Sequence, residues 1–275
     1  MKNETDPIAE SRRLYAAGRW RRETCGDLRF SLGPLGYVVV ATLRRCLRGR
    51  RPNLVLDLGG GEGFIGSLVV GAENLVVIDA VEDAVRAARD RGARAVVGDV
   101  RRLPIKGGVA DAVLSSDVLE HLTPADVPTA VEEMSRVLRS GGVALVHTSV
   151  YGFYLRRWLR WGPGRLDGDD LKDGHLSRLT AHELYSTFRR AGFAVEKYVF
   201  YKHFLQPLVQ LLEDAAFGLI GEKKAALKAG KTRGGKRPGA FTSFAAGVRA
   251  VPPLFDLVLF GRAPGGASIF RLKKR

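Results

Sequence analysis

Three carboxylates stand at or near the ends of apolar segments, where they could hold a polar ligand. Asp57, Asp79 and Asp99 each follow hydrophobic residues in a run typical of a buried parallel strand. Because parallel strands end at one edge of a sheet, we expect the three side chains to share a crevice. Asp79 is well placed to accept hydrogen bonds from two ribose hydroxyl groups, and Asp99 from an adenine amino group. Asp57 lies within its strand, which indicates that something in the crevice needs an acceptor.

A glycine-rich turn follows the first of these strands. Residues 59–63 are Gly-Gly-Gly-Glu-Gly, and glycines let the backbone approach a ligand where any Cβ would collide. A helix predicted over 64–70 would direct its free N–H groups toward the same crevice. A tight turn without a ligand explains the glycines as well, and the pattern G-x-G-x-x-G over 61–66 also fits the dinucleotide fingerprint with Asp79 as its acid. The turn alone therefore indicates a nucleoside cofactor without saying which one.

Further segments extend this pattern toward the C-terminus. A fourth apolar strand over 112–117 runs into D-V-L-E-H-L, and residues 132–138 have a helical pattern. The turn R-S-G-G then leads into a fifth strand over 143–146. With these features the chain resembles the class I S-adenosylmethionine-dependent methyltransferases over about residues 52–200. The resemblance is closest to the large group that modifies small molecules, quinones, lipids and glycans.

The resemblance implies S-adenosylmethionine as the cofactor and gives each of these residues a place. In that family the D-x-G-x-G-x-G turn holds the methionine part, the acid that ends strand two holds the ribose, and a G-D pair after strand three contacts the adenine. The matching positions here are Asp57, Gly59, Gly61 and Gly63, then Asp79 with Ala80, then Gly98, Asp99 and Val100, and Asp117 at the end of strand four. A nicotinamide enzyme would account for neither Asp57 nor the Gly98-Asp99 pair.

The resemblance also implies an α/β fold with a doubly wound, seven-stranded and mostly parallel sheet. The expected strand order is 3-2-1-4-5-7-6, with strand seven antiparallel. Thr180 is expected to cap a helix over 181–191 that stops at Gly192. Residues 193–200 predict strand six, and the alternating residues 267–272 predict strand seven.

The chain divides into a core and its additions. We expect an N-terminal helical cap over 1–51, a cofactor-binding core over 52–200 and 266–275, and insertions over 150–179 and 201–265. Both insertions leave the carboxyl ends of parallel strands, so we expect helical elements that cover the active-site edge and select the substrate. Within the cap, Tyr15 and Trp20 are candidates for cofactor contacts, although packing in the core explains them as well.

The formal net charge of +15 is unevenly distributed. Residues 53–149 carry −5, whereas the segments 1–52, 150–200 and 201–275 carry +7, +3 and +10. Basic additions around an acidic core indicate an anionic partner or surface. Aromatic residues interleaved with arginines over 151–161, and apolar segments around a lysine-rich loop further on, favour an anionic membrane surface. A helical lid with a solvated basic face explains both stretches equally well.

The amino-acid composition indicates in which cellular compartment the protein is found. The hydrophobic content of 45% is ample for a core, and the two cysteines, Cys25 and Cys46, show no paired spacing that would indicate a disulfide framework or a zinc site. The N-terminal sequence is polar and charged, and no stretch reaches the ~18 uninterrupted apolar residues of a membrane span. We expect a cytoplasmic protein, with peripheral association at the inner face of the membrane.

Methyl transfer from a sulfonium needs mostly alignment and desolvation, and it needs a base when the acceptor must lose a proton. Asp117, Glu120 and His121 follow strand four, where the family places substrate-facing groups, and His121 is our candidate base. Glu120 and His121 could instead stabilise the first turn of the next helix. The spacing D-x-x-E-H also resembles the E-x-x-E-H of metal-dependent methyltransferases, but Asp shortens the first arm and we expect no metal. His175 could enter the site from the first insertion or stabilise a loop.

Our leading hypothesis is a methyltransferase that acts on a small molecule, lipid, quinone or lipid-linked glycan. An RNA methyltransferase is the alternative that the basic flanks suggest. Against it, strand four lacks the N/D-P-P-Y/F end of base-amino methylases, and no cysteine lies near it as C5-pyrimidine enzymes need. A non-catalytic S-adenosylmethionine-binding module is a third hypothesis. The sequence leaves the acceptor atom and the oligomeric state open.

Overall fold

The computed structural model describes residues 6–17, 39–151, 166, 170, 173–201 and 267–275. Trp20, Cys25 and most of both predicted insertions lie outside the described residues. The predictions for the aromatic and arginine-rich stretch, for the basic loop and for the apolar segments around it therefore stay predictions.

Seven strands form one mixed sheet in the order β3-β2-β1-β4-β5-β7-β6. They are β1 (Val55–Leu58), β2 (Leu75–Asp79), β3 (Arg94–Val97), β4 (Ala110–Ser116), β5 (Leu138–Ser149), β6 (Phe193–Tyr201) and β7 (Ala267–Lys274). The pairs among β1 to β5 are parallel, and β7 runs antiparallel to both β5 and β6. The predicted fold class and strand order are confirmed.

Helices connect the strands and cover both faces of the sheet. They are α1 (Pro7–Ala16), α2 (Phe64–Val70), α3 (Glu82–Asp90), α4 (Asp126–Val137) and α5 (Ala181–Arg190), with a 3-10 turn at Leu119–His121 and further helical residues over 39–46. None of the helices within the described ranges is long and apolar enough to cross a lipid bilayer.

Alternate residues of the central strands pack into two apolar layers. Leu56 and Leu58 of β1 and Val113 of β4 belong to the layer that includes residues of α4 and α5. Val55 and Leu114 belong to the opposite layer, with residues of α2, α3 and the helical segment 39–46. Because successive side chains of a strand point to opposite faces, these two layers make the fold doubly wound and leave the strand ends as the place for a ligand.

Strand β5 is longer than the sequence pattern predicts. The expected strand covered only 143–146, after a turn at R-S-G-G, but β5 begins at Leu138 directly after α4. Leu138 pairs with Ala110, the register then shifts, and Val143 pairs with Ala112. The glycine pair makes an irregularity inside the strand, where Gly141 takes a φ of +72°, and does not make a turn before it. Helix α4 also begins earlier, at Asp126, because Pro128 lies in its first turn, where no N–H donor is needed.

Helix α5 begins at the predicted cap. Thr180 Oγ1 accepts a hydrogen bond from the Glu183 amide at 3.2 Å, and Glu183 Oε2 accepts one from the Thr180 amide at 2.8 Å. This reciprocal arrangement is a capping box, which satisfies backbone donors that the first turn leaves without partners. It fixes where the chain leaves the active-site edge and enters α5.

The substitution Thr180→Ala should lower the free energy of unfolding by about 1 kcal/mol, because it removes the side-chain acceptor at the helix start. Urea denaturation followed by circular dichroism measures this change. Thr129→Ala, at an exposed position inside α4, is the matched control and should have little effect. Equal losses in the two variants would show that the cap contributes nothing specific.

Candidate functional site

A cavity of about 270 Å³ lies at the carboxyl ends of β1 to β4. Its walls come from the turn after β1, the residues that follow β2, β3 and β4, and one side of α1. The residues predicted from the sequence that line it are Asp57, Gly59, Gly61, Asp79, Ala80, Asp99, Val100, Asp117 and His121. The structure thus brings most of the expected cofactor and substrate residues into a single cavity.

Three predicted site residues, Gly63, Gly98 and Glu120, do not line this cavity. A Cβ at Gly63 would lie 2.8 Å from Val77 Cγ2, and a Cβ at Gly98 would lie 2.7 Å from Pro104 Cδ. Both positions therefore require glycine because of close packing against neighbouring side chains. The roles that we propose for Gly63 and Gly98 are to shape the turn after β1 and the end of β3, respectively.

The turn after β1 has a backbone that only glycine adopts readily. Gly59 and Gly61 have φ values of +63° and +56°. A Cβ at Gly59 would lie 2.5 Å from Val118, whereas a Cβ at Gly61 would meet nothing within 4 Å. Gly61 is thus required by backbone conformation and leaves open space beside it, where a ligand can come close to the chain.

Asp79 ties this turn to the end of β2. Its Oδ2 accepts a hydrogen bond from the Gly61 amide and its Oδ1 one from the Val81 amide, each at 2.8 Å. Burial raises the pKa of the Asp79 carboxyl, and the backbone amides of Val81, Gly61 and Ala80 oppose that rise. Each carboxylate oxygen has a second lone pair, so Asp79 can accept from a pair of ligand hydroxyl groups while it holds the turn.

Asp57 is a buried carboxyl group with one oxygen that no described residue binds. Its side chain is 2% exposed, and Oδ2 has no hydrogen-bond partner among the described residues. Burial raises its pKa to about 7, the nearby charge of Asp79 adds to the rise, and the Gly66 amide opposes it. Cβ atoms at Gly60 and Gly66 would lie 2.7 and 2.3 Å from Oδ2, so both glycines make room for this carboxyl group. A cationic group in the cavity would stabilise its ionised form.

Asp99 has a partner that the sequence analysis missed. Its Oδ1 accepts from the Arg101 amide at 2.8 Å, and the Arg101 guanidinium lies 2.8 Å from Oδ2. Arg101 lines the cavity and also reaches Asp126 at 3.3 Å. The expected contact of Asp99 with adenine stays a proposal, and any such contact would share the carboxylate with Arg101. The sequence signal was the arginine two residues after the acid, which allows this pairing within one turn.

Asp117 is the non-glycine residue with a positive φ, +56°, among the described residues. Its amide donates to the His147 carbonyl at 3.0 Å, and its Oδ1 lies 3.2 Å from His147 Nδ1. His147 Nδ1 also lies 3.0 Å from Ser116 Oγ. The buried His147 of β5 therefore holds Asp117 in a strained conformation beside the cavity. A histidine directly after the apolar run Val143 to Val146 was the signal that could have revealed it.

His121 ends the 3-10 turn after β4 and lines the cavity. Its Nδ1 lies 3.1 Å from the carbonyl oxygen of Gly174. Because a carbonyl oxygen only accepts hydrogen bonds, Nδ1 must carry the proton, and the lone pair of the neutral imidazole is then on Nε2. This arrangement gives His121 the tautomer of a side chain that can accept a proton at Nε2.

Glu120 faces β5 and not the cavity. Its carboxylate accepts from Thr148 Oγ1 at 2.8 Å and from the Ser149 amide at 3.1 Å, and its side chain is buried. We therefore propose a positioning role for Glu120 in place of direct contact with the substrate. Among the described residues, no three His, Cys, Asp or Glu side chains come together in a way that could hold a metal ion.

Helix α1 forms one wall of the cavity. Pro7, Ile8, Ser11 and Tyr15 line it, and the Tyr15 hydroxyl donates to Glu62 Oε1 at 3.1 Å. Glu62 also pairs with Arg91 at the end of α3. Tyr15 thus links the N-terminal helix to the glycine turn. Its contact with the cofactor stays a prediction.

The core of the chain is similar in sequence to known methyltransferases. Residues 56–146 match the family described as a methyltransferase domain. The chain is 34% identical over 145 residues to a Mycolicibacterium smegmatis protein named as a probable S-adenosylmethionine-dependent methyltransferase, covering 52% of each chain. It is 32% identical over 131 residues to the malonyl-[acyl-carrier protein] O-methyltransferase of Methylococcus capsulatus, covering 41% of this chain and 47% of that protein. The chain thus spans about half the length of the curated relatives that it matches.

A solved structure resembles the fold over nearly the whole chain. The S-adenosylmethionine-dependent methyltransferase from Thermotoga maritima aligns with a TM-score of 0.57 and 16% identity, covering 98% of this chain and 100% of that one. At this identity the similarity shows a shared fold. A shared fold does not determine the acceptor, which depends on the residues of the site.

Asp57→Asn should change how stability depends on pH. The folded-state pKa of about 7 lies above the ordinary value of 3.8, so the unfolded chain loses this proton first and wild-type stability falls as pH rises toward about 7. Asn does not titrate. The free energy of unfolding of the variant should therefore rise relative to that of the wild type by about 1 kcal/mol per pH unit between about pH 5 and 7. Ligand-free urea denaturation at several pH values measures this difference.

The control for this experiment is Asp83→Asn, because the Asp83 side chain is 62% exposed on α3. Its stability relative to the wild type should not change with pH in that range. If the Asp57→Asn curve runs parallel to the wild-type curve, Asp57 is already ionised in the folded, ligand-free chain.

Proposed function

Because the chain contains a class I S-adenosylmethionine-dependent methyltransferase domain, we propose that it transfers a methyl group to a small-molecule or lipid-like acceptor. A lipid, a quinone or a lipid-linked glycan would be such an acceptor. The observation that carries the proposal is that one cavity is lined both by the glycine turn with Asp57 and Asp79 and by His121. A cofactor bound at the glycine turn would lie in the same cavity as the proton acceptor His121.

The residues present fit this cofactor. The buried Asp57 carboxyl group, with one oxygen that no described residue binds, suits a ligand that carries positive charge, and the second lone pairs of Asp79 suit ribose hydroxyl groups. We propose that the methionine part is held by Asp57, Gly59, Gly61 and Asp117, the ribose by Asp79 and Ala80, and the adenine by Asp99 and Val100. When bound, S-adenosylmethionine supplies an activated methyl group on a sulfonium.

The chemical work of the chain is alignment, exclusion of water and removal of one proton. His121 accepts the proton of the acceptor hydroxyl at Nε2, because the Gly174 carbonyl keeps Nδ1 protonated. Pro7 and Ile8 of α1 and Leu122 place apolar surface around this end of the cavity. Such surface limits water near the reacting atoms and suits an acceptor with an apolar part.

The acceptor class rests on this local surface and on the relatives. The Methylococcus capsulatus relative is named as an O-methyltransferase of an acyl-carrier-bound malonyl group, which is a small acyl acceptor. Association with an anionic membrane is our proposal for the basic segments that flank the core. RNA is the second candidate because the same basic segments would also attract phosphate groups.

Calorimetric titration with S-adenosylmethionine and with S-adenosylhomocysteine tests the cofactor. We expect micromolar binding by the wild type and a loss of about 10- to 100-fold in Asp79→Ala, which removes a charged acceptor and loosens Gly61. Asp83→Ala, which removes an exposed carboxylate from nearby α3, should bind like the wild type. A folded wild type that binds neither compound at millimolar concentration would overturn the proposed cofactor.

Acceptor assays with labelled S-adenosylmethionine test the reaction. We expect label transfer to a bacterial lipid and quinone extract, with kcat reduced by at least about 100-fold in His121→Gln and the KM for the cofactor nearly unchanged. His182→Gln, at an exposed position of α5, is the matched control and should be fully active. Transfer to RNA alone, with binding that weakens steeply as salt increases, would replace the lipid-like acceptor by RNA.

A further inference from the structure

The segment over 173–178 is attached to the turn that carries His121. The amides of Leu176 and Ser177 both donate to the Glu120 carbonyl, at 2.8 and 3.0 Å, and Ser177 Oγ donates to the Leu119 carbonyl at 3.2 Å. Gly174 takes a φ of +78°, and a Cβ there would lie 2.3 Å from Leu14 of α1. The Gly174 carbonyl, which binds His121 Nδ1, is therefore held between the 3-10 turn at Leu119–His121 and α1.

A buried ionic cluster anchors the start of this segment. Asp170 is 4% exposed, and its Oδ1 accepts from His175 Nδ1 at 3.0 Å and pairs with Arg178. The His175 amide also donates to the Asp170 carbonyl at 2.9 Å. The side chains of His175 and Arg178 are only 14% and 12% exposed. A buried carboxylate of this kind is costly unless its partners stay in place, so the cluster resists movement of His175 and Arg178.

The cluster also contacts the His121 ring directly. The ring centroids of His121 and His175 lie 5.1 Å apart, and the ring planes meet at 74°. An edge-to-face contact restricts the rotation of both rings. His121 is thus restrained by a hydrogen bond at Nδ1 and by a ring whose own Nδ1 is bound to Asp170.

We infer that Asp170 is a positioning residue for His121 and acts through His175 and the Gly174 carbonyl. Asp170 fixes His175, the fixed segment holds the Gly174 carbonyl at His121 Nδ1, and His121 keeps its lone pair on Nε2. Neither Asp170 nor His175 lines the cavity, so their effect on the reaction is indirect. This inference deepens the proposed function and rests on it for the role of His121 as the base.

Several charged groups face His121 from the elements packed around it. Glu10 of α1 interacts electrostatically with it and is itself bonded to Arg13. From the segment after β5 come His175 and the Asp170–Arg178 pair, and Asp117 lines the same cavity. Substitution of Asp170 leaves Glu10, Arg13 and Asp117 in place, so a change in His121 would be due to the cluster.

The decisive measurement is the tautomer of His121, read from the ¹⁵N chemical shifts of its ring in the ligand-free full chain. The wild type should show the proton on Nδ1. Asp170→Asn should lose this preference and show a mixture of the two tautomers, because a neutral amide oxygen holds the Arg178 guanidinium and His175 more weakly than the charged carboxylate does. The His182 signals, from an exposed position of α5, serve as the internal control and should stay unchanged.

A second variant keeps the test decisive if Asp170→Asn does not fold. His175→Phe retains an aromatic ring beside His121 but removes the bond to Asp170, so it should shift the His121 tautomer in the same direction. If His121 keeps its proton on Nδ1 in a folded variant of either kind, Asp170 does not position it and the inference is wrong.

Kinetics separate this inference from the proposed function. With the acceptor that the assays identify, Asp170→Asn should lower kcat by about 10-fold and shift the pH profile of kcat, with the KM for the cofactor unchanged. A loss of kcat with an unchanged pH profile would contradict the positioning role. If no acceptor is methylated, the proposed function fails, while the tautomer measurement still decides the role of Asp170.

Discussion

The Asp57 carboxyl group lies close to the backbone of the glycine turn and of α2. At both places a Cβ would overlap with the carboxyl group, so the residues there must be glycines. Gly60 and Gly66 supply that space, and the same glycines bring the turn and the first residues of α2 close to the cavity. Burial raises the pKa of Asp57 to about 7, and the nearby charge of Asp79 adds to the rise. A chain that keeps such a group gives up stability for a binding site, as functional sites often do. Asp79 adds to this constraint, because the carboxylate that orients the turn also places a negative charge near Asp57 and raises its pKa further.

The opposite end of the cavity is organised by hydrogen bonds to a short turn. Glu120 binds β5 through its carboxylate and the segment over 173–178 through its carbonyl. Two neighbours in sequence thus have different tasks, since Glu120 holds the turn to the sheet while His121 meets the cavity. The Gly174 carbonyl connects these tasks, because the same segment that binds the Glu120 carbonyl also selects the His121 tautomer.

The core and its surroundings carry different information about function. The matched domain covers residues 56–146, and the chain spans about half the length of the curated relatives. We propose that this part provides the cofactor residues, and the fold by itself supports many different reactions. We propose that the acceptor is selected by α1 and by the segments that follow β5 and β6 in the chain. The basic charge of the chain is concentrated in those additions, whereas the core is acidic.

The family resemblance implied the strand order, whereas local patterns in the sequence determined the glycine turn, the cap at Thr180 and the positions of Asp57 and Asp79. These features depend on periodicity, on backbone conformation and on the common edge at which parallel strands end, and all of them are encoded within a few residues. Only the tertiary structure decided which partner each side chain meets. It placed His147 beside Asp117, turned Glu120 toward β5 and extended β5 back to Leu138. The physical reason is that most of these partners lie some 30 residues apart in the chain, so the packing of the sheet selects them and local sequence patterns do not.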